Sequence, residues 1–147
     1  MNHPIKIIIH HSLTRDSDSV SWGAISHYHR AVRGWRDIGY HAGCEDVNGR
    51  IECLFGRPWH IEGAHTQGHN RDSLGFCFVG NFDEVEPGAN RLVEAVVRVI
   101  APWCMQFDID PENIRGHNEF SSKTCPGMMF PMDLLREMVR TELEDLR

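Results

Sequence analysis

Apolar residues run almost unbroken from position 5 to 10, just after Pro4, in the manner of a strand buried on both faces, and this strand delivers His10 at its C-terminal end. The polar stretch TRDSDSVS then offers several helix N-caps ahead of residues 22–33, where Ile25, Tyr28, His29 and Val32 recur at helical spacing. CEDVNGRIEC alternates about Asn48-Gly49, the dipeptide most typical of a two-residue hairpin turn. Counting outward from that turn sets Cys44 opposite Cys53, with Ile51 on their face and Glu45, Arg50 and Glu52 on the solvated one. Residues 73–79, rich in Phe, Leu and Val, read as another short strand closed by Gly80-Asn81. Residues 89–107 carry Leu92, Val93, Val96, Val97 and Ile100 on a broad apolar face, which Pro102 is expected to end or kink. A last helix is predicted over 131–146, with Leu135, Met138, Val139 and Leu146 on one side and Arg136, Glu137, Arg140 and Glu144 on the other. Strands alternating with helices, and no repeat or Pro/Ser-rich linker, predict one α/β domain over residues 1–147, a central mixed β-sheet flanked by about three helices.

Composition narrows the function. No apolar stretch approaches the ~20 residues of a membrane-spanning helix, so membrane insertion is not expected. A formal charge of −6 argues against nucleic acid as a partner, because that binding draws its affinity from clustered Lys and Arg. The N-terminal MNHPIKIIIHHS has too short an apolar run for a secretory leader, so the expectation is a monomer made and folded in the cytoplasm. Five cysteines include no CxxC pair and are odd in number, which argues against a disulfide scaffold and for Cys44 and Cys53 as reduced core thiols.

Ten histidines are the compositional feature with chemical content, since imidazole is both the commonest metal ligand and the usual proton carrier near neutral pH. RGHNEFSSKTCPG holds His117, Lys123 and Cys125 in a polar, Ser-rich, Pro-Gly segment that argues against helix or strand, and a loop can turn such side chains toward one point. A catalytic zinc takes three protein ligands and keeps one position for water, and imidazoles with one thiolate suit it. Spacing alone does not choose between such a site and a loop histidine beside a buried thiol.

Four segments change that balance: IIIHHS, GWRDIGYH, GAHTQGHNRDSLGFCFVGNF and GHNEFSSKTCPG, ordered along nearly the whole chain. In these the chain resembles the zinc-dependent N-acetylmuramoyl-L-alanine amidase family, which includes bacteriophage amidase-type lysozymes and animal peptidoglycan recognition proteins. The resemblance implies one Zn2+ per chain held by His10, His117 and Cys125, with Tyr40 and Lys123 as the catalytic pair. It implies hydrolysis of the amide between N-acetylmuramic acid and L-alanine of the stem peptide in peptidoglycan, by an endolysin-like enzyme of phage or prophage origin that reaches the wall after release. The alternative within the family is a peptidoglycan-binding receptor without catalysis, in which the ligand cysteine is typically replaced; Cys125 is present here.

The remaining histidines divide by position. His11 points to the opposite face of the strand from His10 and is expected outside the metal shell. His65, His69 and Asn70 lie in a glycine-rich loop of the kind that lines a substrate groove and are the candidate substrate-binding residues, although each can equally be a solvated loop residue. His27, His29 and His41 sit in or beside regular elements, where hydrogen-bonded structural roles are the rule. Tyr and Lys do not ordinarily titrate near neutrality, so a proton-transfer role for either needs a shifted value, and the pair is assigned jointly.

Overall fold

The computed structural model describes residues 3–14, 16 and 21–147. Among the described residues the sheet has five strands in the order β3-β2-β4-β1-β5. These are β1 (Lys6–His11), β2 (Ala42–Val47), β3 (Arg50–Phe55), β4 (Ser73–Phe78) and β5 (Ile114–Gly116). β1 pairs in parallel with both β4 and β5, β4 pairs in parallel with β2, and the β2–β3 hairpin is antiparallel, so the sheet is mixed as the sequence predicts. The interior positions of β1 and β4 explain their unbroken apolar runs: Ile7, Ile8 and Ile9 are fully buried, and every residue of β4 is buried.

Parity along β1 sorts the molecule into two sides. Ile7 and Ile9 join Leu74, Phe76, Phe78 and Ile114 in the main core, under the helices that follow. That cover is α2 (Ala89–Ala95), a π-helical turn (Val96–Ile100) and α3 (Ala101–Phe107), running as one helical stretch, together with α4 (Met132–Leu146). Pro102 does not end this stretch. In the π turn just before it Ala101 N–H donates to the Val96 carbonyl five residues back, and this wider turn accommodates Pro102 in the first turn of α3, so the helix continues through it. The buried stripe is Leu92, Val96, Val99 and Ile100, whereas Val93 and Val97 lie on its flank, 42% and 45% exposed. In α4 the stripe is Leu135, Val139 and Leu143, and Leu146 in the last turn is exposed. Among the described residues no helix is long and apolar enough to cross a membrane.

The opposite side is covered by α1 (Trp22–His27), prolonged by a π-helical turn (Tyr28–Val32). Here Trp22 packs with Ile38, Cys77 and Val79. The candidate caps Ser17, Asp18 and Ser19 lie outside the described residues. The cap that is visible comes from elsewhere: the Glu45 carboxylate on β2 accepts from Ser21 N–H, Trp22 N–H and the Ser21 hydroxyl. Glu45 is therefore buried, not on the wet face of the hairpin, because a carboxylate on that face meets the free amides at the start of α1. The hairpin otherwise follows expectation, with positive φ at Asn48 and Gly49, Cys44 opposite Cys53, and both thiols free.

Candidate metal centre and active-site groove

His10 faces the α1 side at the end of β1 and is 2% exposed. Its in-register neighbour on β4 is Cys77. His11, one residue on, faces the helical core, where its Nδ1 accepts from Phe82 N–H at 3.2 Å and its ring lies beside Phe82. The loop that the sequence leaves irregular begins with an element it does not reveal: Ile114–Gly116 pairs with Ile7–Ile9 as edge strand β5, and a 3-10 turn (His117–Glu119) follows. A three-residue strand is too short to display an alternating pattern, and its existence depends on the free edge of β1. It sets the His117 ring 4.6 Å from that of His10.

Cys125 is carried back to the same point by contacts across the loop. Asn118 N–H donates to the Cys125 carbonyl at 2.7 Å, and Asp83 accepts from the Thr124 hydroxyl at 2.8 Å and Met128 N–H at 2.9 Å. His11 N–H points at Sγ from 3.3 Å. One ligand atom each from His10, His117 and Cys125 lies within 4.8 Å of the others. His10 Nδ1 is 3.8 Å from Cys125 Sγ, close to the roughly 3.6 Å edge of a tetrahedron with ordinary Zn–N and Zn–S bonds. The three residues fit a metal of zinc's size and ligand preference.

Electrostatics suit the two imidazole donors. Burial holds His10 well below the usual imidazole range, with further lowering by neighbouring imidazoles and Lys123. His117 is lowered by burial and then by Lys123. Both shifts favour the neutral imidazole that a metal ligand requires. Burial pushes the Cys125 thiol up to about 11 against the opposing pull of His11 N–H and Lys123. A cation has to displace that proton, so binding releases it.

A cavity of about 460 Å³ opens over the cluster, bordered by Tyr40, His29, Trp35, Asp83 and Lys123. It shares Arg33, Trp35, His65, His117 and Lys123 with a second hollow of about 500 Å³ that extends past Gln67 and Asn70, so the cluster sits on the floor of a groove. The Tyr40 ring is tilted 5.1 Å from His10, and burial, then the Cys77 and Cys125 sulfurs, hold its hydroxyl well above the usual phenol range. Lys123 is exposed on the rim. Of the predicted substrate-binding residues, His65 and Asn70 border the groove, while the His69 ring stacks on Phe120 at 4.2 Å. Asn70 is occupied in its own loop, its Oδ1 accepting from His65 N–H and Thr66 N–H. Cys77, Thr66 and Asp83 are the participants that sequence reasoning misses. For Cys77 the signal lay in strand register, and for the other two only the folded loops reveal it.

The model of the N-acetylmuramoyl-L-alanine amidase family matches residues 1–128. The endolysin of Escherichia phage T7 is 30% identical over 139 residues, covering 93% of this chain and 87% of that protein. Human peptidoglycan recognition protein 3 is 34% identical over 134 residues, 86% of this chain but 38% of the human protein. Among solved structures, the N-acetylmuramoyl-L-alanine amidase LysC from Clostridium intestinale URNW superposes with a TM-score of 0.80 at 25% identity, covering 94% of this chain and 86% of that one. With most of its length matched in sequence and in fold, the chain belongs to the N-acetylmuramoyl-L-alanine amidase family.

Proposed function

We propose that this chain is a zinc amidase that hydrolyses the bond between N-acetylmuramic acid and L-alanine of peptidoglycan, with residues 1–147 as one catalytic domain. The observation that carries the reading is the convergence of His10, His117 and Cys125 on a groove floor that Tyr40 and Lys123 border. When bound there, zinc supplies Lewis acidity toward the amide carbonyl and a water acidified to a pKa of ~7. The chain's own residues supply the rest. The groove orients the muramoyl-peptide so that its scissile carbonyl lies over the cluster. The Lys123 ammonium balances negative charge developing on the carbonyl oxygen. Burial holds the Tyr40 hydroxyl well above the usual phenol range, so it donates a hydrogen bond, and Tyr40 and Lys123 together carry the proton given up by the attacking water to the leaving amine. A phage source and action on the cell wall are supported by the likeness to the phage T7 endolysin.

Product chemistry tests the reaction: digestion of purified cell walls releases new alanine amino termini and no new reducing sugar ends. The opposite pattern makes the chain a glycosidase, and tight muropeptide binding without either product makes it a receptor. Metal analysis tests the centre, with about one zinc per chain in the purified protein, lost together with activity in Cys125→Ser.

A further inference from the structure

His65 is drawn into the cluster from the loop after β3, yet it is not within the metal-ligand set. Its ring lies edge-on to His10, with Nδ1 2.9 Å from His10 Nε2. The Thr66 hydroxyl bridges the same two atoms at 3.0 and 3.3 Å. On its far side, His65 Nε2 is 3.4 Å from Ser73 Oγ, and that hydroxyl donates to the His69 carbonyl at 2.6 Å.

The direction of this chain is fixed at its far end. A backbone carbonyl can only accept, so the Ser73 proton is committed to His69 and a lone pair of Ser73 Oγ is left for His65 Nε2–H. With its proton on Nε2, a neutral His65 presents a lone pair at Nδ1, which accepts from His10 Nε2–H. His10 is then left with a bare Nδ1, the atom turned toward Cys125 Sγ. From this relay, resting on the zinc reading above, we propose that His65 is a positioning residue that sets the tautomer and ring orientation of His10 so that Nδ1 is the metal-binding atom.

The fold is arranged to hold His65 in this place. A Cβ on Gly75 of β4 would lie 2.6 Å from His65 Cγ and Cδ2, and one on Gly63 would lie 2.7 Å from Cδ2, so the ring occupies space that only glycines leave. The paired N–H bonds to Asn70 Oδ1 lock the loop on which His65 and Thr66 stand.

The test measures zinc affinity by competition with a chromogenic chelator, the visible spectrum of the cobalt-substituted protein, and His10 protonation by nitrogen NMR of the metal-free protein. His65→Ala is expected to bind zinc about 10- to 100-fold more weakly and to alter the cobalt bands. His65→Asn, whose amide oxygen falls near the position of Nδ1, is expected to recover most of the loss, and Ser73→Ala to weaken binding by a smaller factor with the His65 ring still present. In wild-type protein the His10 proton is expected on Nε2. Unchanged zinc affinity and cobalt spectrum in both His65→Ala and Ser73→Ala overturn the proposal, as does a His10 proton found on Nδ1. Should His65→Ala not fold, His65→Asn and Ser73→Ala decide the question by the same readouts. A wild-type chain that binds no zinc refutes the underlying metal reading instead.

Discussion

Removing the Glu45 carboxylate is expected to loosen α1 from the sheet. Ser21 N–H reaches both carboxylate oxygens at 3.0 Å, Trp22 N–H reaches Oε1 at 3.1 Å, and the Ser21 hydroxyl reaches Oε2 at 2.8 Å. Hydrogen bonds to a charged group contribute about 1.5–3 kcal/mol each. Two effects offset that sum in Glu45→Ala: a desolvated charge is removed along with its partners, and water can reach the half-buried Ser21. The net loss is about 2 kcal/mol, at the upper end for a lost N-cap. For a chain of this size that corresponds to a fall in Tm of about 4–8 °C. Glu45→Gln keeps an acceptor oxygen and is expected to lose less than half as much. Urea unfolding of the metal-free proteins measures both. A Glu45→Ala variant within about 0.5 kcal/mol of wild type refutes the idea that β2 caps α1.

Acid is expected to destabilise the metal-free protein through His41, whose Nδ1 accepts from Gly75 N–H and whose Nε2 donates to the Ile61 carbonyl. Burial lowers it from 6.5 to about 4, so the unfolded chain takes up the proton first; its contribution is full above pH 6.5 and is lost as pH falls toward 4. The loss amounts to about 3 kcal/mol, and an NMR titration showing His41 protonating near 6.5 contradicts it. Gly75→Ala drives a methyl into the His65 ring and is expected to weaken zinc binding about tenfold by chelator competition; unchanged affinity means the ring has room that the backbone does not suggest. Asp83→Ala releases the Thr124 hydroxyl and Met128 N–H on either side of Cys125, and is expected to speed zinc release in stopped-flow chelation while leaving the fold intact by circular dichroism.

The parts of the fold legible in sequence are those governed by neighbours along the chain. The Asn48-Gly49 turn fixes the Cys44–Cys53 register locally, and alternation along β1 separates His10 from His11. Glu45 was not legible as a buried cap, because its partners lie on another element and only packing brings them together. Nor was β5, which exists by pairing with β1, or the π turn that accommodates Pro102. In the site, His10, His117 and Cys125 were legible through motif likeness. His65 was legible as a groove residue, but its hydrogen bond to His10 spans 55 positions and has no local signature.

The three candidate ligands differ in how firmly the chain holds them. His10 belongs to the interior strand β1, paired on both edges, so its place is set once the sheet has formed. His117 and Cys125 belong to a loop that follows an edge strand of three residues and is tied down by side chains such as Asp83. The strand histidine is therefore fixed by backbone pairing that any change in the loop leaves in place, whereas the two loop residues depend on side-chain contacts that a single substitution removes. Substitutions in the loop can thus tune how long the metal stays without touching the scaffold that received it.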